Sequence, residues 1–117
     1  MTMMYGRSKT TEVRPVDVAE LQGRGAVLVD VREDDEWTAG HAPDAVHVPL
    51  GRVSEAANRF AGQEVLTLCR SGARSGRAAK TLAAAGVGVH NVAGGMSAWA
   101  AAGLPVVPGD GSPGRVS

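Results

Sequence analysis

The residues best suited to chemistry lie together past the middle of the chain, in the run Cys69-Arg70-Ser71-Gly72-Ala73-Arg74-Ser75. An apolar run, Val65 to Leu68, stops at Cys69, the only cysteine among 117 residues. Ser75 then opens a segment, residues 76–85, whose pattern predicts a helix. A nucleophile between a strand end and a helix N-terminus has a physical use. The N–H groups of a tight loop turn inward as an anion-binding nest. The helix end adds unpaired donors and partial positive charge, and Arg70 and Arg74 add full charges. Each effect favours thiolate over thiol, and such settings bring a cysteine pKa from about 8.5 into the range of roughly 3.5–7.5. Cys69 therefore reads as a thiolate nucleophile for an anionic substrate. A free cysteine is also commonly a small buried hydrophobe, but the polar and cationic neighbours of this one make a poor apolar lining. No acidic residue occurs from Val65 to Gly109, a stretch that carries Arg70, Arg74, Arg77 and Lys80.

Such a loop needs strands that end along one edge. Ala26 to Val31 is nearly unbroken apolar sequence interrupted by Asp30, a pattern that suits a central parallel strand covered on both faces. A carboxylate inside that run needs a partner, and Arg32 or a loop N–H is at hand. Two roles stay open for it: an ion pair that holds the loop, or a direct part in catalysis. Further strands are expected at Val13–Val16 (a short edge strand broken by Pro15), Ala45–Pro49, Val65–Leu68 and Val89–Val92. Asp17 and Glu20 read as a capping box, with Val16 and Leu21 as its staple, opening a short helix that Gly23 and Gly25 end. Asp34 reads as the cap of a helix carrying Trp37. Glu33, Asp34, Asp35 and Glu36 read as a solvated first turn that the helix dipole favours, not as a metal site.

Val53, Ala56, Ala57 and Phe60 recur at helical spacing as one apolar face. Met96 to Ala102 reads as a last short helix with Trp99 in the core. His41 orders the turn Gly40–Asp44, and His90 reads as an exposed strand residue. From Leu104 onward, three prolines and three glycines predict a loose tail. Strands alternate with helices, so the expected fold is a single α/β domain over 12–108, with a central, mainly parallel sheet flanked by helices on both faces. Residues 1–11 are expected as a flexible leader and 109–117 as a flexible tail. Sites in such folds lie beyond the carboxyl ends of the strands, where Asp30 and Cys69 both fall.

Composition narrows the function. Hydrophobic residues make up 44% and aromatic residues 3%, so the core is built of Val, Leu and Ala. Twelve basic residues balance twelve acidic ones, which argues against a nucleic-acid or membrane-surface partner. One cysteine excludes an internal disulfide and a Cys-x-x-Cys pair. His41, His47 and His90 lack the spacing of zinc ligands, so neither metal nor cofactor is expected. A free thiol fits a reducing compartment, Met1 to Thr11 has no apolar signal core, and no apolar run approaches the roughly 20 residues of a membrane span. The expected location is the cytoplasm.

In order along the chain, several pieces resemble the single-domain rhodanese-like sulfurtransferase family. They are Leu28-Val29-Asp30-Val31-Arg32-Glu33, Glu36-Trp37, Gly40-His41-Ala42-Pro43 with Ala45, Val48-Pro49-Leu50, the loop Cys69 to Ser75, and Gly94-Gly95-Met96-Ser97-Ala98-Trp99. The resemblance implies that Cys69 accepts a sulfane sulfur as a persulfide. It implies that Arg70 and Arg74 bind an anionic donor such as thiosulfate, that the N–H groups of the loop through Ser71, Gly72, Ala73 and Ser75 hold the terminal sulfur, and that Asp30 and Arg32 support the site. The acceptor would be cyanide, a thiol or a partner protein. Ala42 stands where the family often has isoleucine, and Asp44 where it often has glycine.

Rival readings are a phosphatase or arsenate reductase of the same fold, a sulfur-carrier or binding module with little turnover, and a thiol sensor pairing Cys69 between chains. The resembling phosphatases have a longer loop, Cys-x5-Arg, whereas Cys69 and Arg74 are separated by four residues.

Overall fold

The computed structural model describes residues 11–109. Residues 1–10 and 110–117, where most of the expected leader and tail fall, lie outside the described residues. The elements in order are β1 (Thr11–Val13), α1 (Val18–Gly23), β2 (Val27–Asp30), α2 (Asp34–Ala39), β3 (Val46–His47), α3 (Val53–Ala56), β4 (Glu64–Leu68), α4 (Ala73–Ala84), β5 (Gly88–Val92) and α5 (Gly95–Ala101). Short 3-10 turns at Pro15–Asp17, Leu50–Arg52 and Ala57–Phe60 flank α1 and α3. The five strands form one parallel sheet in the order β1-β5-β4-β2-β3. The expected α/β domain is thus the observed one, with every pairing parallel.

Alternation along the central strands builds two cores. Val29, Val65 and Val89 point to one face and pack with Val53, Ala56, Ala57 and Phe60 and with Ala78, Ala79 and Leu82 of α4. Leu28, Leu66 and Leu68 point to the other and pack with Val18 of α1 and Met96 and Trp99 of α5. Helices therefore cover both faces, which is what continuous apolar strands require. Cys69 belongs to the α4 face. By the same period of two, Asp30 shares the α5 face with Leu28.

Local chemistry redraws several boundaries. β1 begins at Thr11, inside the expected leader, and ends before Pro15, which opens a 3-10 turn instead of breaking a strand. Proline lacks the N–H that a ladder needs and suits a first helical turn. Asp17 makes no side-chain cap. It pairs with Arg14 at 3.1 Å, and Val16 stands 53% exposed instead of stapled. The cap of α2 is Glu33, not Asp34, and Glu36 Oε1 accepts the Glu33 N–H at 3.0 Å. β3 is shorter than expected, Val46–His47. Asp44 has φ +63°, the left-handed region that, among residues other than glycine, short polar side chains such as aspartate enter most readily.

The segment after α5 is not loose. Leu104 and Val106 pack against the α5 core, and Trp99 Nε1 donates to the Pro105 carbonyl at 2.8 Å. His41 and Val107 exchange backbone hydrogen bonds of 2.9 and 2.8 Å, and the Gly109 N–H donates to Thr38 O at 3.0 Å. The prolines remove donors there, but their neighbours still find partners on α2 and the turn that follows it.

Asp30 and Arg32 form a fully buried pair. Arg32 Nε donates to both carboxylate oxygens at 3.0 and 3.1 Å, Nη2 to Oδ2 at 2.8 Å, and the Arg32 N–H to Oδ1 at 3.0 Å. Nη2 also donates to Gly40 O at 2.8 Å, joining the end of β2 to the turn after α2. None of these bonds reaches the cysteine loop, so the geometry is that of a tie within the scaffold. Removing one charge of such a pair leaves the other buried and uncompensated, at a cost of about 3–5 kcal/mol. Asp30→Asn is therefore expected to lower the urea midpoint by that equivalent. An unchanged midpoint would show that the pair does not hold the fold.

Candidate active site

β4 ends at Leu68 between β2 and β5, so Cys69 leaves the sheet at its carboxyl edge, flanked on both sides. The first helical turn follows sooner than expected. Gly72, at φ +109°, is the N-cap, and α4 starts at Ala73. A left-handed residue lets the chain turn directly from strand to helix, and glycine adopts it without strain. Ala73, Arg74 and Ser75 therefore lie in the first turn of α4, not ahead of it. Their N–H groups belong to those that a helix leaves without intrahelical partners.

The start of α5 sets the loop's direction. The Cys69 carbonyl accepts the Met96 N–H at 2.7 Å, and the Arg70 carbonyl accepts the Ser97 N–H at 2.9 Å. In a trans peptide the N–H opposes the C=O, so turning these carbonyls toward α5 turns the Arg70 and Ser71 N–H groups away from it. The approach is close at Gly95, where a Cβ would lie 2.3 Å from Cys69 O and 2.6 Å from Arg70 O. Only glycine fits there.

Cys69 is 1% exposed. Its Sγ accepts the Gly72 N–H at 3.0 Å and the Ser75 hydroxyl at 3.2 Å. Burial alone would push the thiol up. The Ser75 hydroxyl, followed by the N–H groups of Ser75, Gly72 and Ser71, outweighs it and brings the thiol below its ordinary value. Hydrogen bonds, not the arginines, lead this effect.

Arg74 is committed to a partner. Its Nη1 and Nη2 donate to Glu36 Oε1 and Oε2 at 2.6 and 2.8 Å. Glu36, expected to be solvated, is only 15% exposed at its side chain, whereas Asp34 is 93% exposed. The Glu36–Arg74 fork joins α2 to the first turn of α4. Arg70, by contrast, is exposed, and its side chain makes no hydrogen bond or ion pair among the described residues. Ser71 and Ala73 are also exposed. The loop thus combines a recessed sulfur ringed by donors with one cation free to meet an anion.

The histidines lie elsewhere. Trp37 stacks between His41 and His47, at centroid distances of 3.6 and 4.7 Å. His47 Nε2 donates to Arg32 O at 2.7 Å. His90, expected to be exposed, is held between Glu64, at 2.7 Å, and the Thr11 hydroxyl. Among the described residues no group of His, Cys, Asp and Glu is placed to hold a metal ion, and no helix is long and apolar enough to cross a membrane. A groove of about 680 Å³ runs beside β3 between Glu33, His47, Arg52 and Arg59, and Cys69 does not line it. Two contributors were hidden in sequence: Glu36 inside an acidic cluster, and Asn91, a polar residue in an apolar strand.

Hydrogen bonds from Arg74, against the opposing effect of burial, hold the Glu36 carboxyl at about 2, down from 4.5. The folded value lies below the unfolded one, so its contribution is complete above pH 4.5 and vanishes as pH falls through 2. At about 1.4 kcal/mol per unit it is worth at most about 3 kcal/mol. Glu36→Gln is expected to lower stability most at neutral pH and to converge with the parent near pH 2. A difference constant across a pH series of thermal melts would rule out the charge pair as its origin.

A family model described as the rhodanese-like domain matches residues 14–102. The chain is 41% identical over 90 residues to a protein named sulfurtransferase from Allochromatium vinosum, covering 73% of this chain and 81% of that protein. It is 42% identical over 74 residues to the putative sulfur carrier protein YrkF of Bacillus subtilis, covering 62% of this chain and 40% of that protein. The chain spans 40–55% of the length of two curated relatives that it matches. The crystal structure of a rhodanese-related protein from Thermoplasma volcanium superposes with a TM-score of 0.76 at 26% identity, covering 83% of this chain and 97% of that one. With a matching domain model, relatives named sulfurtransferase and the same fold, the chain belongs to the rhodanese-like family of sulfurtransferases.

Proposed function

We propose that this protein moves a sulfane sulfur from a small anionic donor of the thiosulfate type to a nucleophilic acceptor through a Cys69 persulfide. The observation that carries this reading is the Cys69 sulfur itself, recessed in the loop yet hydrogen-bonded by Gly72 and Ser75. In the first step the thiolate attacks the outer sulfur of thiosulfate. The S–S bond of the donor breaks, its electron pair leaves with sulfite, and the negative charge passes to the terminal sulfur of the persulfide. Two unit charges about 4 Å apart repel by roughly 4 kcal/mol at an effective dielectric near 20, so an anionic donor needs a counter-charge on approach. Arg70 supplies it. Arg74, already paired, holds the helix start in place. In the second step cyanide, a small thiol or a partner's cysteine takes the outer sulfur and restores the thiolate. Covalent transfer of this kind gives ping-pong kinetics. The free thiol on which it depends suits a reducing compartment, the cytoplasm.

The burial of Cys69 favours a second reading, in which the persulfide is a carrier form that persists until a partner protein removes it. Rapid turnover with thiosulfate and cyanide would decide for the enzyme. A stable persulfide without that turnover would decide for the carrier.

Incubation with thiosulfate is expected to raise the intact mass by one sulfur atom, and cyanide to reverse it. Cys69→Ser, whose alcohol is not ionised near neutral pH, should show neither. The small ring spanning Cys69 to Arg74 suits one sulfur atom and not an oxyanion centre, so aryl phosphates should turn over only at background rate. Cys69-dependent phosphatase activity would overturn the reading.

Arg70→Ala removes a charge-assisted contact worth roughly 1.5–3 kcal/mol. It is expected to lower kcat/KM for thiosulfate by about 10–100-fold while leaving the thermal midpoint unchanged. Arg77→Ala, one turn along α4, should cost less. Equal losses at the two positions in steady-state assays would mean that the field is diffuse and Arg70 has no special place.

A further inference from the structure

Asn91 lies in β5, 3% exposed, on the α4 face of the sheet. It sits behind the cysteine loop and does not touch the sulfur. Its Nδ2 donates to Gly72 O at 3.1 Å and to Glu12 Oε2 at 3.0 Å, and its Oδ1 accepts the Thr67 hydroxyl at 3.3 Å. A carbonyl and a carboxylate only accept, so Nδ2 must face both of them, which fixes the orientation of the amide. Aspartate could not donate to either, and leucine could satisfy none of the three.

The consequence lies one bond away, at Ser75. The Ser75 hydroxyl is within reach of two acceptors, Cys69 Sγ at 3.2 Å and Gly72 O at 3.3 Å. It has one proton and serves one of them at a time. Gly72 O has two lone pairs. One takes the Gly76 N–H at 3.0 Å, and Asn91 takes the other. With both occupied, the Ser75 proton is left for the sulfur. The Ser75 hydroxyl is also the foremost of the groups that favour the thiolate.

We propose that Asn91 is a positioning residue for the sulfur chemistry, which by saturating the Gly72 carbonyl directs the Ser75 proton to Cys69. The proposal rests on the thiolate reading of Cys69 above. Without Asn91 the Gly72 carbonyl regains an open lone pair, Ser75 turns to it, and the sulfur loses a donor. Arg70 in the loop and the Arg74–Glu36 fork across α4 and α2 keep their places in such a variant, while Glu12 on β1 loses its amide partner, an effect that Glu12→Ala tests separately.

The test is the pH dependence of iodoacetamide alkylation in the full chain. The parent is expected to show a midpoint below that of a free thiol. Asn91→Ala should move it up by about one pH unit, the equivalent of one charge-assisted hydrogen bond. Ser75→Ala should do the same. Asn91→Ala added to Ser75→Ala should add little, because both act on one proton. Glu12→Ala, which loosens β1 without freeing the Gly72 carbonyl, should give no upward shift. A parent midpoint at the free-thiol value would defeat the thiolate reading itself. A depressed parent midpoint that Asn91→Ala leaves unmoved would defeat the role of Asn91 alone, as would additive shifts in the double variant. Where Asn91→Ala does not fold, Asn91→Leu, similar in size and without charge, replaces it, with the same upward shift expected. Failure of both to fold, with Ser75→Ala folded, would make Asn91 a residue of stability and overturn the proposal.

Discussion

A sulfur anion removed from water needs hydrogen-bond donors in place of its hydration, and the arrangement around Cys69 follows from that need. The sulfur is almost wholly covered and draws on Gly72, Ser75 and the loop backbone. A backbone presents its N–H groups to one side only if its carbonyls are held to the other. α5 does this by donating Met96 and Ser97 N–H groups to the Cys69 and Arg70 carbonyls. The contact is so close that Gly95 has no room for a side chain.

The parallel sheet makes the two-sided grip available. All strands run the same way, so every helix that follows a strand starts at the same edge. α4 covers one face and α5 the other. The loop after β4 therefore lies between two helix N-termini with unpaired donors. One set, with the Ser75 hydroxyl, serves the sulfur. The other set takes the loop's carbonyls. Polar side chains at the ends of apolar strands complete the frame: Asp30 with Arg32 on one face, Thr67 with Asn91 on the other.

Charge is placed by pairing more than by composition. Arg32 and Arg74 are each held by a carboxylate, Asp30 and Glu36. These pairs secure the turn after α2 and the start of α4. They leave Arg70 exposed and without a carboxylate partner among the described residues. A chain with no net charge thus presents a cation at the mouth of its cysteine loop.

By itself the sequence determined the alternation of strands and helices, the two-faced apolar strands, the cysteine at a strand end and the loop of small and cationic residues behind it. These are local or periodic signals, carried by neighbours in the chain. It also offered Arg32 or a loop N–H as partner for Asp30, and the structure uses both the guanidinium and the backbone N–H of Arg32. Only the tertiary structure decided which acid was solvated and which was paired. Glu36 and Asp34 look alike in sequence, yet Glu36 faces α4 and meets Arg74 across 38 residues, while Asp34 faces water. Within the expected strand Val89–Val92 nothing local singles out Asn91; its role shows only when β5 is placed beside β4 and its amide meets Gly72. The segment after Leu104 reads as loose from its prolines and glycines, yet pairs with His41 and Thr38, contacts that no local pattern encodes. Hydrogen bonding between distant segments depends on where the packed sheet and helices bring their backbones, and that position is a property of the folded chain.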